Sequence, residues 1–192
     1  MLKTTKKLAV FASGTGSNFI AIQEAIEQGT LDATIALVVS DVPTSAVIEK
    51  AKKKGLKTFV FNPQSYSDKE AFETEIVEAL SEAKVDWVIL AGYMRLVGPT
   101  LLSAYEGKIV NIHPSLLPSF KGLDAIGQAF DAGVKITGVT IHFVDEGMDT
   151  GRIIAQEAVT VKNSSTRVAL QKDIQAVEHR LYPETINYLL QQ

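Results

Sequence analysis

Short apolar runs alternate with longer amphipathic stretches along most of the chain. Leu8–Ser13 reads as a buried strand. Asn18–Gln28 reads as a helix, with apolar positions at Ile20, Ile22 and Ala25–Ile26. Ala33–Ser40 is a second strand and Thr44–Lys54 a second helix. Lys52, Lys53 and Lys54 fall in the last turn of that helix, where cations suit the helix dipole, and Gly55 follows as its stop. Thr58–Phe61 is a third strand. Ser67 is placed to cap a helix from Asp68 to about Ala83, with Glu70 three residues on completing a capping box. Trp87–Ala91 and Ile109–Ile112 are continuously apolar, as strands covered on both faces are.

Strand followed by helix, repeated, predicts an α/β fold with a parallel sheet between two helical layers. The pattern changes near Thr137. Thr137–Val144 and Arg152–Val161 are strands with only the turn-like Asp145–Gly151 between them, which predicts an antiparallel edge. Ser165–Gln191 closes the pattern as a long helix, with Pro183 expected to kink or break it. No repeat, low-complexity tract or linker interrupts the chain, so one domain over 1–192 is the simplest expectation.

Composition narrows the function. The chain has 192 residues, 46% of them hydrophobic, enough for one well-filled core. Charged residues make up 21% and the net charge is -3, unlike the basic footprint of a nucleic-acid binder. There is no cysteine, which removes disulfides and thiolate metal sites. The run Leu8–Ala12 is too short for a signal peptide and passes directly into a glycine-rich turn. No segment approaches the roughly 18 apolar residues of a membrane span. A soluble cytoplasmic protein is expected.

Three stretches carry candidate chemistry. Ser13-Gly14-Thr15-Gly16-Ser17-Asn18 joins the first strand to the first helix, where glycines let bare backbone approach an anion and the helix start offers free N–H groups. Phe19 stands where a dinucleotide fingerprint needs a small residue, and the lysine of a P-loop is missing. One phosphate monoester is therefore expected, and not NAD or ATP. The plain alternative is an ordinary strand–helix turn with Asn18 as its N-cap. Asn111 and His113 end a buried strand two residues apart, on one face, and Pro114 ends the pairing. An amide and an imidazole there suit oxyanion stabilisation and proton handling, or else a core histidine bonded to a carbonyl. Asp145-Glu146-Gly147-Met148-Asp149-Thr150-Gly151 is an acidic loop without EF-hand spacing. His142 reads as a packing residue. His113, His142 and His179 share no metal-ligand spacing, so no metal is expected.

Taken in order, these landmarks resemble the glycinamide ribonucleotide formyltransferases. The resemblance rests on the glycine loop, Leu90-Ala91-Gly92-Tyr93-Met94-Arg95-Leu96, Asn111-Ile112-His113-Pro114-Ser115-Leu116-Leu117-Pro118, His142-Phe143-Val144 with Asp145 to Gly151, and Gln175 with Glu178-His179. It implies a Rossmann-like, three-layer, mostly parallel sheet of the formyltransferase type, with a phosphate-binding half about 1–100 and a folate and catalytic half about 101–192. It implies catalysis by Asn111, His113 and Asp149. The acceptor phosphate would lie on Gly16, Ser17 and Asn18, and the rest of the acceptor against Gly92, Gln175 and Glu178, with Glu178 near the glycyl amine. The co-substrate, 10-formyltetrahydrofolate, would contact Met94, Arg95, Leu96, Val97, Asn111, Val144, Asp145 and Asp149, with Lys69 near its glutamate tail. Small-molecule partners are implied, with no nucleic acid or membrane, and a monomer or homodimer.

Lys121 and Asp124 depart from the family pattern, where many relatives carry proline and histidine. A simpler sheet edge is also expected, because longer relatives add a C-terminal strand. Related activities differ in architecture. Formyl-folate hydrolases carry an N-terminal regulatory domain and methionyl-tRNA formyltransferases a C-terminal RNA-binding domain, and neither is expected here. Formylation of a nucleotide-linked sugar fits the single-phosphate loop less well. A non-catalytic sugar-phosphate-binding module would need the glycine loop but not Asn111, His113 and Asp149 together.

Overall fold

The computed structural model describes residues 5–162 and 166–192. Among these residues, seven strands form one sheet: β1 (Lys6–Phe11), β2 (Ala33–Ser40), β3 (Thr58–Val60), β4 (Trp87–Leu90), β5 (Ile109–His113), β6 (Ile136–Phe143) and β7 (Ile153–Thr160). Their order is β3-β2-β1-β4-β5-β6-β7. Pairing is parallel from β3 through β5. β6 runs antiparallel to β5, and β7 antiparallel to β6. This is the expected mostly parallel, three-layer sheet with an antiparallel edge.

Among the described residues, six α-helices accompany it: α1 (Ser17–Glu27), α2 (Ala46–Lys53), α3 (Lys69–Glu82), α4 (Pro99–Ala104), α5 (Ala125–Asp131) and α6 (Arg167–Leu189). The alternation along β1 shows why its residues are all apolar. Leu8 and Val10 join one core with Phe19, Ile22, Val47, Ile174 and Tyr182. Ala9 and Phe11 join the other, with Phe72, Ile76, Leu80 and Leu101. Thus α1, α2 and α6 cover one face of the sheet, and α3 and α4 the other.

Several local expectations are corrected. Asp68, not Ser67, caps α3. Its carboxylate accepts from the Ala71 amide at 2.9 Å, so the capping box with Glu70 does not form. Gly16, not Asn18, holds the N-cap position of α1. Pro183 neither ends nor splits α6, which runs unbroken through it. The local cost of an interior proline, about 3 kcal/mol, is offset by the burial of Tyr182, Pro183, Thr185 and Ile186 around it. Ser165, the expected start of this helix, lies outside the described residues, and Thr166 caps α6 through the Ala169 amide at 3.1 Å. The short helices α4 and α5 carry no strong periodicity and are not legible in the pattern. Gly55 does stop α2: its amide donates to Lys52, and that of Leu56 to Ala51, the pairing of a left-handed glycine C-cap.

Candidate active site

The strand order reverses between β1 and β4, and ligands of open α/β sheets bind at such a switch point, beyond the carboxyl ends of the strands. A cavity of about 590 Å³ opens there. Its walls come from the loops after β4 and β5, the end of β6, the loop before β7, and one side of α6.

The glycine loop lies beside it. Gly16 takes a left-handed conformation (φ 73°) and no side chain caps α1, so the amides that open the helix have no intrahelical partner. The loop carbonyls are held by α2. Gly14 accepts from the Val47 amide at 3.1 Å, and Thr15 from Lys50 Nζ at 2.7 Å. A Cβ on Gly16 would stand 2.7 Å from Val47 Cγ2, so only glycine fits.

Asp41 ties this loop to the one after β4. Ser13 Oγ donates to Asp41 Oδ1 at 2.6 Å and accepts from the Met94 amide at 2.9 Å. Arg95 Nε donates to Asp41 Oδ2 at 2.9 Å. Glu73, buried on α3, closes the far end of the loop, accepting from the Gly98 and Leu101 amides at 2.6 and 3.2 Å.

β5 delivers Asn111 and His113 to one wall of the cavity. His113 Nε2 lies 2.8 Å from the Phe120 carbonyl oxygen, which can only accept, so this nitrogen carries a proton. Nδ1 faces Asp149 Oδ2 at 3.5 Å. Asp149 sits in the acidic loop with a left-handed backbone (φ 54°), an uncommon state for a non-glycine residue. Its Oδ2 also accepts from the Gly122 amide at 2.8 Å. Asp145 shapes the same loop, accepting from the Gly147 amide at 3.0 Å and Thr150 Oγ1 at 2.6 Å.

At the other end of the cavity, Asn18 Nδ2 meets Glu178 Oε2 of α6 at 3.4 Å, and both residues are buried. Burial raises the Glu178 carboxyl to about 7, a shift that the Asn18 contact partly opposes. Asn18 Oδ1 is buried with no hydrogen-bond partner among the described residues.

Most of the expected site residues meet here. Asn18, Gly92, Met94, Arg95, Leu96, Val97, Asn111, His113, Val144, Asp145, Asp149, Gln175 and Glu178 all line the cavity. Gly16 and Ser17 do not, although they open the helix that carries Asn18. Lys69 stays outside, its ammonium donating to the Leu96 carbonyl at 3.0 Å. Asp124 caps α5 through the Gly127 amide and pairs with Arg167, and both residues line the cavity. Residues of both halves of the chain line the cavity.

His142 is the residue that the sequence reading missed. It is buried, as a packing residue would be, but its Nε2 lies 3.2 Å from Asn111 Nδ2 and 3.7 Å from Asp149 Oδ1. The signal that could have found it is strand register. Placed antiparallel beside β5, β6 sets His142 directly opposite Asn111. Among the described residues, no group of three or more His, Asp or Glu is arranged to hold a metal ion.

Fold and site together define an α/β enzyme in which a bare glycine turn adjoins a wall built from an amide, an imidazole and a carboxylate. The formyl transferase family profile matches residues 6–186, and the chain belongs to that family. It is 54% identical over 185 residues to the phosphoribosylglycinamide formyltransferase of Bacillus subtilis (strain 168), covering 96% of this chain and 95% of that protein. The human trifunctional purine biosynthetic protein adenosine-3 is 40% identical over 184 residues, and the match spans 96% of this chain but 18% of that protein. The crystal structure of phosphoribosylglycinamide formyltransferase from Bacillus halodurans superposes with a TM-score of 0.95 at 56% identity, covering 97% of this chain and 96% of that one. Glycinamide ribonucleotide transformylase 1 from Geobacillus kaustophilus gives 0.95 at 57% identity, covering 97% and 100%.

Proposed function

We propose that the protein transfers the formyl group of 10-formyltetrahydrofolate to the amine of glycinamide ribonucleotide, in the cytoplasm, as a step of purine biosynthesis. The reading is carried by the contact of His113 with Asp149, beside Asn111 and within one cavity that also reaches Asn18 and Glu178. The names of the relatives support the formyl transfer and its acceptor.

The acceptor phosphate binds the uncapped start of α1 through Gly16, Ser17 and Asn18. Gly92, Gln175 and Glu178 hold the rest of the acceptor, with the glycyl amine toward Glu178. The folate lies against Met94 to Val97 and the segment from Val144 to Asp149, where Met94 and Met148 are exposed apolar surface ready to be covered. Lys69 attends its glutamate tail from outside the cavity.

The neutral amine attacks the formyl carbon, forming a C–N bond and a tetrahedral oxyanion. An Asn111 N–H and the protonated His113 ring stabilise that oxygen. Since the Phe120 carbonyl occupies Nε2, Nδ1 is the nitrogen shared between Asp149 and the reacting centre. The amine then gives up a proton to Asp149, through water, and Asp149 returns it by the same water to N10 of the folate as the bond from N10 to the formyl carbon breaks. The charge balances without a covalent enzyme intermediate.

The test mixes the protein with 10-formyl-dideazafolate and glycinamide ribonucleotide and follows deformylation by absorbance. Turnover that requires both substrates is expected. Deformylation without the ribonucleotide would convert the reading to a hydrolase, and none under any condition would leave a binding module.

A further inference from the structure

His142 has no part in the chemistry so far, yet its two nitrogens are both engaged. Nδ1 lies 2.7 Å from the Phe143 carbonyl oxygen. A carbonyl only accepts, so Nδ1 carries the proton, and in the neutral ring Nε2 is a lone-pair acceptor. Asn111 Nδ2 stands 3.2 Å from that lone pair. Of the two ends of the Asn111 amide, only the NH2 end satisfies it. One N–H is used there and the second remains for the cavity.

We infer that His142 is a positioning residue whose Nδ1–H tautomer fixes the flip of the Asn111 amide, so that an N–H and not the carbonyl oxygen meets the developing oxyanion. The inference rests on the proposed role of Asn111 as an oxyanion donor. The two ends of a carboxamide are nearly the same size, so cavity shape alone does not choose between them. The backbone supplies the alignment, because Asn111 and His142 are direct partners in the β5–β6 ladder.

A protonated ring would reverse the arrangement. Nε2–H would turn to Asp149 Oδ1, 3.7 Å away, and Asn111 would present its oxygen to the ring or lose the contact. The charged groups facing His142 pull both ways: Asp149 and Asp145 favour the imidazolium, and His113 opposes it. Burial is the largest influence and lowers the His142 pKa. The productive tautomer is therefore kept at neutral pH and lost in acid.

Steady-state kinetics on the full chain with both substrates test this, comparing the parent, His142→Leu, His142→Gln, Asn111→Ala and the Asn111→Ala/His142→Leu double variant. His142→Leu is expected to lower kcat by about tenfold or more, with each KM changed by less than about threefold. His142→Gln, whose Oε1 can accept but does not titrate, should recover part of that loss. It should also lack the acid-side inflection in kcat that His142 gives the parent below the ordinary histidine range. In the Asn111→Ala background, removing His142 should cost nothing further. A parental kcat in His142→Leu, an additive double variant, or no gain in His142→Gln would overturn the inference. Should His142→Leu fail to fold by its thermal melt, the pH profile of His142→Gln decides, and a retained inflection overturns it. An inactive Asn111→Ala beside an unaffected His142→Leu sinks this inference alone, whereas an unaffected Asn111→Ala sinks the proposed chemistry beneath it.

Discussion

His113 is held at both nitrogens, by the Phe120 carbonyl at 2.8 Å and by Asp149 at 3.5 Å. That makes it a fixed donor, and removing such a donor has cost about 10²–10³ in kcat in another enzyme. His113→Ala and Asn111→Ala are each expected to lower kcat at least about tenfold while ribonucleotide binding, read by calorimetry, changes little. A near-parental rate in either would remove that residue from the mechanism. Glu178 makes a prediction about stability. Its carboxyl is raised by burial to about 7 from an ordinary 4.5. Between those values the folded state binds more protons than the unfolded state, so stability falls as pH rises through the window. At pH 8.5 the buried charge costs on the order of 3 kcal/mol. Glu178→Gln should therefore raise the melting temperature clearly at pH 8.5 and hardly at pH 4.5. Equal melting of the two proteins at pH 8.5 would contradict this.

At the scale of elements, the glycine loop depends on α2 as much as on its own residues. Gly16 combines a left-handed backbone with contact against Val47, and the carbonyls of Gly14 and Thr15 before it bond to α2. Gly16→Val should thus displace the start of α1 and weaken ribonucleotide binding far more than binding of a folate analogue, both measured by titration calorimetry. Equal loss of both would indicate misfolding instead. Secondary structure was the more legible part of this scale. Strand β1 and helix α2 follow from apolar period and from Gly55 as a stop. The cap of α3 did not, because Ser67 and Asp68 are both good caps and only the chain path selects Asp68. The continuity of α6 did not either, since packing around Tyr182 overrides the local penalty of Pro183.

At the scale of the whole molecule, α6 is fastened to the sheet where the site lies. The buried Tyr182 hydroxyl is 2.8 Å from the Leu90 carbonyl and 3.0 Å from that of Val110, bridging β4 and β5. Those strands deliver the loop at Gly92 and the side chain of Asn111, and α6 delivers Gln175 and Glu178. Tyr182→Phe removes the one O–H that these two carbonyls share, and is expected to cost about 1–3 kcal/mol in chemical denaturation. It should also weaken ribonucleotide binding, because the placement of α6, which carries Glu178, against β4 and β5 is no longer fixed. A variant as stable as the parent would show that water or other groups satisfy these carbonyls.

The sequence alone determined the alternation of strand and helix, the antiparallel edge from near Thr137, the bare glycine loop, and the pairing of Asn111 with His113 on one strand face. These depend on local period, on backbone freedom and on residue spacing, all of which are carried within a few neighbouring residues. Tertiary structure decided what converges. Asp149 reaches His113 only because its loop returns across β5, and Glu178 meets Asn18 only because α6 packs against α1. It also changed the meaning of His142. Read along the chain it is one more buried residue, and it becomes a partner of Asn111 only when β6 is laid antiparallel beside β5, a register no local pattern encodes.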